Sequence, residues 1–172
     1  MAQSREQGLR PNLYTPEERR RRDATPWTLV QGLLAPLQFL VFLVSLGLVL
    51  NYLWTGESLA AATASIVTKT LVLYAIMITG SIWEKVVFGK YLFAPAFFWE
   101  DVVSMLVLAL HTAYLLVWTL GLLEPREQML LALAAYASYV VNAAQFLLKL
   151  RAARQESTVI ESAMQTTSGV WE

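Results

Sequence analysis

Two acids side by side, Glu100 and Asp101, follow a loop that carries Phe88, Tyr91, Phe93, Phe97, Phe98 and Trp99. Glu84 precedes that loop, and the chain's one histidine, His111, comes about three helical turns after it. Carboxyls and an imidazole hold and release protons, and aromatic rings offer flat apolar surface. Set in strongly apolar sequence, they make a site for something large, planar and apolar. Ionisable groups at membrane depth are costly, so they are read as functional by default.

The elements that must position these groups follow from composition. The chain has 172 residues, 56% of them hydrophobic, with a mean hydropathy of +0.48, too apolar for an ordinary soluble domain of this size. Runs of about 20 apolar residues are what a bilayer-spanning helix needs. A formal net charge of zero argues against nucleic acid as a partner. The absence of cysteine excludes disulfides, thiolate catalysis and cysteine-ligated clusters. A single histidine excludes a multi-histidine metal site and leaves carboxylate-rich sites open. The polar, Arg-rich first residues do not read as a signal peptide.

The expected fold is all-α: an integral membrane four-helix transmembrane bundle with a short N-terminal amphipathic helix. Hydropathy places spans at about Trp27–Trp54, Leu59–Trp83, Trp99–Leu123 and Arg126–Leu150. The short helix should start at Thr15, with Pro16 in its first position and Glu18 completing a capping box. Thr25-Pro26 restarts a helix by the same logic. The chain then divides into an N-terminal segment, 1–25, a four-span domain, 26–151, and a polar tail, 152–172, expected to be disordered.

Charge sets the expected topology. Arg19 to Arg22, Lys85, Lys90, Lys149, Arg151 and Arg154 share one side of a four-span chain, which the positive-inside rule puts in the cytoplasm with both termini and the aromatic loop. Trp27, Trp54, Trp83 and Trp99 fall at span ends, as an interfacial belt requires.

Each span carries a polar stripe. Gln31, Gln38 and Ser45 recur every seven residues on the first; Ser65, Lys69 and Thr79 share a face of the second. On the third, Glu100 and His111 lie within about 20° of each other and ~16 Å apart along the axis, with Ser104 between them. Ser138, Asn142, Gln145 and Lys149 line the fourth. Facing inward, these stripes form a polar seam concentrated in the cytoplasmic half. Plainer readings stand beside this one. Gln, Asn and Ser stripes often only join helices. Acids in a first helical turn complement the dipole, a role that suits Asp101 better than Glu100. Lys69 can snorkel toward the far interface, His111 can be a packing histidine, and the loop aromatics can dip into headgroups.

The segments LYTPEERRRRDATPWTLVQG, LAPLQFLVFLVSL, TGSIWEKVVFGKYLFAPAFFWEDVVSMLVLALHTAY and NAAQFLLKLRAAR carry a specific resemblance. Over roughly Leu13 to Arg154 the chain resembles the 2-vinyl bacteriochlorophyllide hydratases, or chlorophyllide 3-vinyl hydratases, of phototrophic bacteria. The resemblance implies an enzyme of bacteriochlorophyll biosynthesis in the bacterial inner (intracytoplasmic) membrane. It would add water to the 3-vinyl group of chlorophyllide a, or of the matching bacteriochlorophyllide, giving the 3-(1-hydroxyethyl) product. The implied partners are that pigment, membrane lipid and other bacteriochlorophyll-synthesis enzymes.

The resemblance transfers no catalytic residue, so roles rest on chemistry. Vinyl hydration needs a proton donor and a group that orients and deprotonates water, with water as co-substrate and no redox cofactor. A carboxyl in apolar surroundings can hold the proton. Glu100 is the first choice of general acid, Glu84 the second, and Asp101 the carboxylate that stabilises the cation or takes the proton from water. Neighbouring acids titrate together, so these roles can exchange. His111 is expected as axial ligand to the magnesium of the substrate, or as a base toward water. Gln38, Asn142 and Gln145 are candidates for holding water or the ring carbonyls. Lys85, Lys90 or Arg19 to Arg22 are candidates for the free propionate. Two other functions compete: a non-enzymatic chlorophyll carrier or photosystem assembly protein, and a small four-helix transporter. A transporter favours a midplane site between repeats, whereas the acids here cluster near one interface.

Overall fold

The computed structural model describes residues 13–168, with side chains as far as Arg154. Every element among them is a helix: α1 (Pro16–Ala24), α2 (Pro26–Thr55), α3 (Leu59–Phe88), α4 (Phe98–Leu120) and α5 (Pro125–Ser168). Four stretches are long and apolar enough to cross a membrane: α2, α3, α4 and the Pro125–Arg154 part of α5. The chain is a membrane protein of all-α class, as expected.

Local chemistry sets the helix ends. Thr15 caps α1 through a full capping box with Glu18, and Pro16 occupies its first turn. Thr25 accepts from Trp27 N–H at the start of α2. Gly56, Gly89 and Gly121 end α2, α3 and α4 in the left-handed region, where a side chain costs about 1–2 kcal/mol. Pro125 starts α5. Beyond Arg154 the helix runs on to Ser168 instead of giving way to an irregular tail. QESTVIESAMQTTS contains neither Gly nor Pro to stop it, and Gln, Glu, Ala and Met propagate a helix well. Residues 1–12 and 169–172 lie outside the described residues.

Packing is by hairpins. α2 packs mainly on α3 and α4 mainly on α5, with thinner contacts joining the pairs. The core is apolar at its centre, where Phe42, Val49, Ile66, Val107, Tyr114 and Met129 are buried together. Polar bonds fasten its seams. Gln31 donates to Thr79 Oγ1 at 2.7 Å, Ser45 and Ser65 bond at 2.7 Å, and Tyr74 bonds Thr112 at 2.8 Å. Ser138 bonds the Ala135 carbonyl of its own helix. Gln31, Ser45, Ser65 and Thr79 thus serve as the interhelical fastenings that the plainer reading anticipates.

Candidate active site

The aromatic loop divides into two layers. Phe88 and Phe97 turn inward and cluster with Tyr14, Trp83 and Phe146, with ring centroids 5.7 to 6.4 Å apart. Tyr91, Phe93, Phe98 and Trp99 face outward, and Trp99 is 69% exposed. The inner layer roofs the bundle end, while the outer layer is an apolar apron at the predicted interface.

Beneath that roof the acids meet. Glu84, near the end of α3, and Asp101, in the first turn of α4, bring their carboxyls into contact. Both also grip the loop: Phe93 N–H donates to Asp101 Oδ2 at 2.7 Å, and Ala94 N–H donates to Glu84 Oε2 at 3.4 Å. The grip has a backbone cost, since Phe93 sits at φ 58°, unusual for a residue with a side chain. Asp101 therefore does more than complement the α4 dipole.

Glu100 points the other way and is ion-paired to Lys149, with Nζ 2.6 Å from Oε2. Asn142 Nδ2 donates to the Glu100 carbonyl at 2.9 Å and to Ser104 Oγ at 3.0 Å. Lys149 also lies 4.9 Å from the Phe97 ring centroid. These contacts stitch α5 to the start of α4. Lys149 was legible only as the last member of a polar stripe. The signal that could have found it is the 138-142-145-149 spacing, which carries the stripe to the depth of Glu100.

The other candidates are dispersed. His111 is fully buried; its Nδ1 bonds the Val107 carbonyl at 2.8 Å, and its ring lies 5.8 Å from that of Tyr136. Lys69 does not snorkel: it too is fully buried, with Nζ 3.8 Å from the Tyr139 ring centroid. The antiparallel α2–α3 register turns this side chain into the bundle, so the far interface is out of its path. Gln38 is buried on α2, and Gln145 buries its carbonyl oxygen on α5. Lys85 donates to the Gly89 carbonyl at 2.9 Å, closing its own helix, and Lys90 is exposed. Arg22 pairs with Asp23 and lies 4.8 Å over the Tyr14 ring.

A buried carboxyl pair, an adjacent ion pair and an aromatic apron lie together at one end of four apolar spans in an all-α membrane protein. The chain matches the 2-vinyl bacteriochlorophyllide hydratase (BCHF) family over residues 14–152 and belongs to it. It is 72% identical over 143 residues to the 2-vinyl bacteriochlorophyllide hydratase of Cereibacter sphaeroides, covering 83% of this chain and 88% of that one. It is 65% identical over 158 residues to the enzyme of that name from Rhodobacter capsulatus, covering 91% of each. No solved structure matches the chain.

Proposed function

We infer that this chain is a membrane hydro-lyase that adds water across the 3-vinyl group of a bacteriochlorophyllide or chlorophyllide a in bacteriochlorophyll biosynthesis. Family membership carries the reaction class. The closeness of Glu84 and Asp101 carries the mechanism, because two carboxyl groups that share a site repel each other as anions and favour holding one proton.

In our reading that proton goes to the terminal vinyl carbon. Positive charge then develops on the carbon attached to the macrocycle, which delocalises it. Water adds there, and its proton returns to a carboxylate, leaving a 1-hydroxyethyl group and a regenerated acid. Glu84 and Asp101 are the donor pair. Glu100, held against Lys149, is a fixed negative charge that stabilises the cation, and the deprotonated Glu84–Asp101 pair takes back the proton of water. This reverses the first-choice role assigned to Glu100 from spacing, since an ion-paired carboxylate has no proton to give. Asn142 positions Glu100 through its carbonyl. Gln145 offers an unpartnered oxygen to water or a ring carbonyl.

The enclosed His111 is read as part of the bundle interior, not as a ligand to the substrate's magnesium, because a macrocycle reaches its ring only if helices part. The propionate would meet Lys90, Lys85 or Arg19 to Arg22 at the cytoplasmic surface. Both termini would then be cytoplasmic in a bacterial inner membrane, supported by the charge asymmetry of the loops. Other bacteriochlorophyll-synthesis enzymes are the proposed neighbours.

The test is direct. Purified protein in lipid nanodiscs, given chlorophyllide a or the 3-vinyl bacteriochlorophyllide, should yield a product heavier by one water. Pigment bound without any such product would make this chain a carrier.

A further inference from the structure

We propose that Gln38, Lys69 and His111 enclose a chamber inside the bundle, apart from the acid cluster, that holds water for the hydration reaction. The role of that water rests on the reading just given; the chamber does not.

The observation is a set of buried polar atoms without a hydrogen-bond partner among the described residues: both amide atoms of Gln38, Nζ of Lys69 and Nε2 of His111. They come from three helices, α2, α3 and α4; Lys69 and His111 abut the adjoining rings of Tyr139 and Tyr136, and Gln38 lies one turn from Phe42, which packs on both. Phe42, one turn along α2 from Gln38, lies 4.9 Å from Tyr139 and 5.5 Å from Tyr136. Lys69 Nζ sits over Tyr139, and the His111 ring lies beside Tyr136.

Packing alone accounts poorly for this set. An amine over a ring face satisfies one direction and leaves other donors unused. With Nδ1–H committed to the Val107 carbonyl, Nε2 of His111 is left as an acceptor. A donor, an acceptor and an amide that is both are the partners a buried water takes, and such waters make about three hydrogen bonds each. An apolar ligand would leave these atoms unsatisfied.

Register connects the chamber to the acids. Ser45 of α2 bonds Tyr136 of α5, and Phe42 packs on Tyr139, so the two helices run antiparallel in fixed register. Gln38, two turns from Ser45, then falls level with Asn142, whose amide touches Glu100 and Ser104. The chamber therefore reaches from His111 toward the depth of the site that consumes water.

Hydroxyl-radical footprinting of the wild-type protein in nanodiscs tests it, since radiolysis of bound water labels the side chains beside it. Phe42, in the chamber wall, should label well above Phe39, its lipid-facing neighbour on α2. Lys69→Met and Gln38→Leu should remove that difference and lower kcat roughly tenfold or more with KM unchanged. Equal labelling of Phe42 and Phe39 in the wild type would overturn the chamber, whether or not the variants fold. A folded Lys69→Met protein with wild-type kcat would overturn its role in supply. Preferential Phe42 labelling in a protein that never hydrates the pigment would leave the chamber standing and sink the proposed function instead.

Discussion

Glu84 and Asp101 lie on opposite sides of the aromatic loop in sequence and touch in space, each accepting from one of two consecutive backbone N–H groups, those of Ala94 and Phe93. The loop is thus tied at its middle by the two carboxyls that stand ready to act on what it covers.

Glu84→Gln and Asp101→Asn keep hydrogen-bonding shape but remove the shared proton. Each should slow hydration by about 10²–10⁴-fold, the usual worth of a general acid. Pigment absorption titrations should show binding retained. Turnover within a few fold of wild type in both variants would remove the pair from the mechanism.

Lys149→Met strands the Glu100 carboxylate at the α4–α5 seam. Denaturant titration in detergent should register a loss of about 1–3 kcal/mol. The Glu100→Gln/Lys149→Met double variant should lose less than the sum of the singles, since neither partner is left unpaired. Glu100→Gln alone should slow turnover less than Glu84→Gln. The reverse order would restore Glu100 as the proton donor.

His111→Leu should leave the absorption spectrum of bound pigment unaltered, because the imidazole is enclosed and its Nδ1 is bonded within α4. A lost or shifted band in this variant would reassign His111 as ligand to the substrate's magnesium.

Tyr14, outside the spans, docks the N-terminal segment onto Phe88 and Phe97. Burial raises its phenol above the usual 10.0, and Arg22 only partly opposes this. The folded state therefore prefers the neutral phenol. Its contribution is complete below pH 10 and drains away as pH climbs past that value. A spin label at Arg19→Cys should gain mobility above about pH 10, and Tyr14→Phe should abolish that dependence. Mobility unchanged by alkali would show that the phenol does not hold the segment.

Much of the fold was legible because single residues signal it locally. Thr15, Pro16 and Glu18 announce α1, and the four apolar runs are long enough to be spans without reference to one another. The continuation of α5 past Arg154 was missed because polar composition was taken for disorder, although nothing in 155–168 breaks a helix. Of the candidate site, the individual acids are legible in the sequence, and their partners are not. Glu84, Glu100 and Asp101 stand out in the sequence, whereas Lys149 reads as the end of a polar stripe and Lys69 as a stripe residue that can also snorkel.

Sequence by itself determined which residues are polar in an apolar chain, where helices begin and end, and which family the chain resembles. Those are properties of neighbours along the chain, set by hydrogen bonding within a turn and by the cost of moving side chains into lipid. Only the tertiary structure decided which carboxyl meets another carboxyl and which meets a cation. Glu100 and Asp101 are adjacent in sequence yet about 100° apart around α4, so one faces Lys149 of α5 and the other Glu84 of α3. That rotation, combined with the packing of α4 between two neighbours, separates an ion pair from a carboxyl pair.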